Sequence, residues 1–143
     1  MRIKLDEGAK MPTRAHDADA GFDLYMPHIA GAGMYWETLR AGESTVIDTG
    51  VHVEIPRGYV GMLKSKSGLN VRYGITSEGV IDSGYTGSIK VKLYNHGEED
   101  YAIDEGDKIT QLVILPVFTP ELELVDDLTP TDRGGNGFGS TGR

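Results

Sequence analysis

Acids, cations, hydroxyls and glycines gather in five short segments of this chain, and strand packing does not explain their compositions. Ala20-Gly21-Phe22-Asp23-Leu24 sets a carboxylate inside an apolar strand start. Lys64-Ser65-Lys66-Ser67-Gly68 collects two cations, two hydroxyls and a glycine, groups suited to gripping a polyanion. Gly79-Val80-Ile81-Asp82-Ser83-Gly84-Tyr85-Thr86-Gly87 carries an acid and a phenol through a glycine-bounded hairpin. Gly106-Asp107-Lys108-Ile109-Thr110-Gln111-Leu112 places polar Gln111 in a strand that leads to a core run. Arg133 to Gly142 is a glycine-rich tail whose backbone amides can cradle an anion.

Taken singly, each segment has an ordinary reading. Asp82 alone is a turn aspartate, and Lys64 and Lys66 alone are a solvated strand face. Gln111 alone satisfies a neighbouring backbone group, and a Gly/Ser tail alone is a linker. Other motifs fail on context. Gly137-Phe138-Gly139-Ser140-Thr141-Gly142 has the form of a dinucleotide fingerprint, but only Arg143 follows where a helix should open. The four histidines, His16, His28, His52 and His96, are scattered singly without zinc spacing.

The elements that must position these segments are short strands. Val51, Val53 and Ile55 alternate with His52 and Glu54, and Ile89, Val91 and Leu93 alternate with Lys90, Lys92 and Tyr94. This period of two predicts half-buried strands over Ser44–Asp48, Val51–Ile55, Tyr59–Lys64, Ser88–Asn95 and Lys108–Phe118. Pro56-Arg57-Gly58, Asn95-His96-Gly97 and Glu105-Gly106-Asp107 are turn signals between them. A single short helix is expected over Ser67–Tyr73, and Met26–Glu37 reads as an exposed loop carrying Tyr35 and Trp36. The class is all-β, a sandwich or jelly roll in one domain over residues 1–131, followed by a mobile arm over residues 132–143.

Bulk properties narrow the function classes. A formal charge of −8 argues against binding long nucleic acid through a general basic surface. No apolar run approaches membrane-span or signal-peptide length, so no membrane partner is expected. The absence of cysteine excludes disulfides and thiolate metal sites and suits a reducing compartment. Together these features predict a cytoplasmic protein.

Taken in order, the five segments resemble the five motifs of the trimeric dUTP pyrophosphatases, the dUTPases, from Asp19 to Gly142. Gly-Val-Ile-Asp followed by Tyr-x-Gly, and a terminal Arg-Gly ahead of Gly-Phe-Gly-Ser-Thr-Gly, are the specific parts of the match. The resemblance implies a distorted jelly-roll barrel that cleaves dUTP to dUMP and pyrophosphate with Mg²⁺. It also implies a homotrimer with shared active sites, joined through apolar strand faces.

The same resemblance implies roles for particular residues. Asp82 would hold the attacking water, and Asp23 would reach Mg²⁺ through water, since that ion keeps its waters readily. Tyr85 would lie under the deoxyribose and leave no room for a 2′-hydroxyl. The backbone of Gly79, Val80 and Ile81 would read uracil, with Lys90 a weaker contributor to that pocket. Lys66, Ser67, Gly68 and Gln111 would contact phosphates, and Arg133 would reach the terminal one. Phe138 would stack on the base while Gly139, Ser140 and Thr141 bind the phosphates. Lys66 stands where the family usually carries arginine, which replaces a planar fork by a point charge. Two alternatives compete: a dCTP deaminase of the same fold, and a dUTP-gated binding protein that signals to a regulatory protein partner.

Overall fold

Val51 and Val53 are buried while Glu54 points to solvent, so the alternation along this segment is the signature of a strand with one wet face. The same rule holds over Lys90–Asn95, where Val91, Leu93 and Asn95 are buried and Lys90, Lys92 and Tyr94 are exposed. The computed structural model describes residues 1–28 and 36–136. Within them run β1 (Arg2–Leu5), β2 (Gly21–Tyr25), β3 (Trp36–Leu39), β4 (Ser44–Asp48), β5 (Val51–Glu54) and β6 (Tyr59–Lys64). A seven-residue helix α1 (Ser67–Tyr73) follows, then β7 (Ile75–Ile81), β8 (Lys90–Asn95), β9 (Tyr101–Asp104) and β10 (Lys108–Pro116). The fold is all-β with one short helix, a curled antiparallel sheet of jelly-roll type.

Six strands form the main sheet in the order β2-β10-β6-β7-β8-β4, and β1-β5 and β3-β9 form two smaller antiparallel pairs. Leu24, Leu39, Leu63, Ile75, Ile89, Leu93, Ile103, Ile109 and Leu112 close the core, each at most 2% exposed. Burying a side chain of this kind contributes about 1.5–3 kcal/mol. Among the described residues no helix is long and apolar enough to cross a membrane.

Helix α1 begins where Asn70 N–H bonds the Lys66 carbonyl at 2.9 Å. It stops at Gly74, which takes the left-handed conformation (φ 70°) and returns its N–H to Asn70 and Leu69. Its span is the one the sequence predicts.

Three strand ends differ from expectation. Pro56 follows Ile55 and lacks an N–H, so β5 ends at Glu54. β8 starts at Lys90 because Ser88 and Ile89 belong to the incoming turn, with Ile89 bonded across to Val51. β10 ends at Pro116 rather than Phe118, and residues 117–136 form no regular element. The expected Met26–Glu37 loop is also corrected. Met26 is 2% exposed, held in the core by hydrogen bonds to Gly106 and Asp107, and Trp36 already begins β3. Tyr35 and the Trp36 side chain lie outside the described residues.

Candidate active site

β7 delivers its last residue, Ile81, to the core and then releases the chain into the turn that carries Asp82. Tyr85 N–H bonds the Asp82 carbonyl at 3.1 Å, and Gly84 supplies the positive φ (96°) that the tip needs. The Tyr85 ring then folds back over Gly87, where its hydroxyl donates to the Ser88 carbonyl at 2.9 Å. A Cβ on Gly87 would stand 2.5 Å from the Tyr85 hydroxyl, so the glycine of Tyr-x-Gly makes room for the phenol. Val80, Ile81, Asp82, Tyr85 and Lys90 line one cleft of about 240 Å³. Asp82, Tyr85 and Lys90 are exposed there, and Gly79 lies one residue before Val80 on β7. Among the described residues the Asp82 carboxylate meets no side-chain or backbone donor.

The second group surrounds Asp23. This residue is 4% exposed in β2, opposite Gln111 of β10. Lys66 Nζ lies 2.5 Å from one carboxylate oxygen and Lys108 Nζ 2.7 Å from the other. Burial pushes the Asp23 carboxyl up, but the hydrogen bonds from Lys108 and Lys66 outweigh it and hold the group below the ordinary aspartate value. Lys108 is raised in turn, chiefly by its hydrogen bond to Asp23.

A buried polar chain fixes the segment that ends in Lys66. Thr110 donates to the Lys64 carbonyl at 3.0 Å and meets Ser77 Oγ at 2.7 Å. Ser65 Oγ donates to the Ser77 carbonyl and accepts its N–H at 2.9 Å. Gln111 Nε2 donates to the Ser65 carbonyl at 3.1 Å. Gly21 leaves space for that amide, since a Cβ there would sit 2.3 Å from Gln111 Oε1. Ser67 and Gly68 are exposed in the first turn of α1 beyond this anchor.

Ser77 and Thr110 are 1% and 0% exposed, and neither was singled out from the sequence. The signal was present: Ser77 occupies an inward position between Ile75 and Ile81, where the alternation calls for an apolar residue. Lys108 as a partner of Asp23 had no such signal, since the pair is 85 positions apart.

The two groups are separate within one chain. Asp23, Gln111, Lys64 and Glu78 stand opposite one another across β2, β10, β6 and β7. Three strand spacings, about 14 Å, divide Asp23 from β7, and Asp82 lies four residues beyond Glu78, roughly 13 Å further along. Arg133 is exposed and, among the described residues, bonds locally, to the Asn136 carbonyl at 3.2 Å. Phe138, Gly139, Ser140 and Thr141 lie outside the described residues. No three His, Cys, Asp or Glu side chains converge on a possible metal site among the described residues. Asp23, with each oxygen held by a lysine, could meet such an ion only through the ion's own water.

The family model of the dUTPases matches residues 7–142. A deoxyuridine 5′-triphosphate nucleotidohydrolase of Clostridium acetobutylicum is 41% identical, over 97% of this chain and 93% of its own. Among solved structures, the Staphylococcus bacteriophage 80alpha dUTPase with dUPNHPP superposes with a TM-score of 0.87 at 32% identity, covering 99% of this chain and 98% of that one. A D95N dUTPase of phage phi11 of S. aureus, described with a structural Mg(II) ion, gives 0.76 at 34% identity, over 88% and 96% of the two chains. A match of this length and identity, on a fold that sets an open aspartate beside a tyrosine on a glycine-bounded turn, establishes that the chain belongs to the dUTPase family and is a dUTP diphosphatase.

Proposed function

We propose that this dUTPase cleaves dUTP by in-line attack of water on the α-phosphorus, with Asp82 holding the water. The bond from phosphorus to the bridging oxygen breaks and pyrophosphate leaves with that oxygen. The observation that carries the reading is the cleft itself: an exposed carboxylate without a donor among the described residues, beside Tyr85 and Lys90 and continuous with the backbone of Gly79 to Ile81. A carboxylate is a weak base at neutral pH, so orienting the water matters as much as taking its proton. Tyr85, pinned to Ser88, would lie under the deoxyribose and exclude a ribose 2′-hydroxyl.

Phosphates are assigned to Lys66, Ser67, Gly68 and Gln111. Among the described residues, no atom beyond its chain neighbours and its own helix backbone lies within 4 Å of a Cβ built on Gly68, so the surrounding packing does not demand glycine there, whereas a closely approaching phosphate would. Asp23 would hold Mg²⁺ through water, and the ion would neutralise polyphosphate charge. The arm from Asp132 onward, with Arg133, Phe138, Gly139, Ser140 and Thr141, closes over the nucleotide.

The separation of Asp82 from the Asp23 cluster supports a homotrimer in which one site draws these groups from different subunits. Leu122, Leu124 and Leu128 are at least 85% exposed in the single chain, as expected of a segment that packs on another copy. In the cell this reaction keeps uracil out of DNA and supplies dUMP.

Pyrophosphate release across dUTP, UTP, dCTP and dTTP, with and without chelator, tests the reading. Release is expected from dUTP alone and should fall with chelator. Comparable turnover of UTP, chelator-insensitive cleavage, or ammonia released from dCTP would each sink it.

A further inference from the structure

His52 occupies an edge position that the proposed chemistry does not use. It lies in β5, cross-strand from Lys4 of β1, with its side chain 17% exposed. Its Nδ1 is 2.8 Å from the Thr86 carbonyl oxygen and its Nε2 is 2.9 Å from an Asp6 carboxylate oxygen. Thr86 follows Tyr85 directly, on the turn that begins at Asp82. The imidazole therefore ties the tip of the substrate turn to the end of the first strand.

Both partners are acceptors. A carbonyl oxygen has no proton to give, and Asp6 is a carboxylate that Lys4 also holds, at 3.1 Å. A neutral imidazole carries one N–H, so it can satisfy one acceptor and must turn a lone pair on the other. The two short contacts together call for the imidazolium. The charged groups facing it are Asp6 and Lys4 from β1 and the residue after it, while the turn offers the Thr86 carbonyl. Arg2 and Glu54, further along the same pair, are bonded to each other.

The rest of the turn explains why this tie matters. Ile89 is fixed by backbone bonds to Val51 and Thr49, and Ser88 Oγ donates to Asp48. These hold the outgoing end of the turn. The contact to Thr86 reaches the tip, next to the tyrosine.

We propose that His52, as an imidazolium clamped between Asp6 and Thr86, is a positioning residue that sets the pose of the Asp82–Tyr85 turn for dUTP hydrolysis. The clamp is complete while Asp6 is ionised and His52 protonated, and it is lost when the imidazole gives up its proton. The hydrogen bond to Asp6, and then that to Thr86, hold the imidazole above its ordinary value of 6.5, against a small opposing effect of burial and Lys4. A raised folded value means that the imidazolium side of the clamp is fully present below 6.5, as long as Asp6 stays ionised, and disappears as pH rises through the folded value. The consequence for catalysis rests on the placement of Asp82 and Tyr85 at the substrate, whereas the clamp itself does not.

Two measurements on the full-length protein test this. First, the ring nitrogens of His52 are followed by NMR against pH without nucleotide, in the native protein and in Asp6→Asn. The titration midpoint should lie above that of a free imidazole, with both nitrogens protonated on its acid side, and Asp6→Asn should lower the midpoint. A midpoint that is not raised, or one indifferent to Asp6→Asn, overturns the clamp. Second, His52→Ala is compared with the native protein in steady-state kinetics, with Asp82→Asn as control. His52→Ala should lower kcat/KM about tenfold, since a small misplacement of reacting groups is costly. Its melting temperature should fall by no more than about 4 °C. Unchanged kcat/KM, beside an inactive Asp82→Asn, overturns the positioning role and leaves the site reading intact.

Discussion

Asp23 and Asp82 are both carboxylates on the main sheet and its margin, yet their surroundings are opposite. Asp23 is buried, and each of its oxygens is taken by an ammonium group. Asp82 is exposed on a glycine-bounded turn and, among the described residues, meets no donor. A carboxylate saturated by two cations fixes its neighbours and has little left to offer a ligand directly. A carboxylate left open in a cleft can hold a water molecule where a substrate will sit. The first kind of group gives a site its shape and charge, and the second gives it reactivity.

The sharpest way to break this contrast is to neutralise each acid in turn. Asp82→Asn should cut turnover by about 10²–10⁴-fold, the range expected when a positioned acid or base is lost. Because Asp82 is exposed and meets no donor among the described residues, the melting temperature should barely move, and binding of a non-hydrolysable dUTP analogue should persist. Near-native turnover in calibrated pyrophosphate assays would remove Asp82 from the mechanism.

Asp23→Asn should cost stability as well as any turnover that depends on the proposed Mg²⁺ contact. Removing one member of a buried ion cluster is ordinarily costly, but the lysine side chains are 26% and 44% exposed and can turn to water. The expected loss is therefore about 1–3 kcal/mol, read by calorimetry as a fall of roughly 3–10 °C. The pH dependence follows from the lowered native value of Asp23. Its stabilisation is present above the ordinary value of 3.8 and disappears as pH falls through the native value. The melting gap between native protein and Asp23→Asn should thus be steady from about pH 7 to about pH 5 and close below 3.8. A gap that widens in acid would contradict the ion cluster.

Lys66 tests the smaller question of whether a cation can serve both groups. It is tied to Asp23 yet stands one residue before Ser67 and Gly68. Lys66→Ala should raise KM by about tenfold, the equivalent of one charge-assisted hydrogen bond, with kcat less affected. Lys66→Arg should be tolerated. Unchanged kinetics in the alanine variant would mean that Lys66 serves Asp23 alone.

Much of the fold was legible because half-buried strands announce themselves locally. β4 and β6 coincide with the expected spans, as does α1, bounded by Gly74. β1, β3 and β9, four residues each, were not singled out as strands. Met26 was misplaced because an apolar residue beside a Gly-rich stretch gives no sign that its backbone is bonded to Gly106 and Asp107, some 80 positions away. At the site, the Asp82–Tyr85 turn was legible because its acid, phenol and glycines are contiguous, and Gly87 has a direct steric reason to follow Tyr85 by two.

The amino-acid order by itself determined the period-two strands, the single short helix, and the family, since each depends on residues close together in the chain. The tertiary structure alone decided which charges meet. That Asp23 is shared by Lys66 and Lys108, that Ser77 and Thr110 brace the Lys64–Gly68 segment, and that His52 joins Asp6 to Thr86 all depend on which strands lie side by side and in what register. Side-chain alternation is a local property of a strand. Pairing and register are set by how all the apolar faces close one core, and no single segment carries that information.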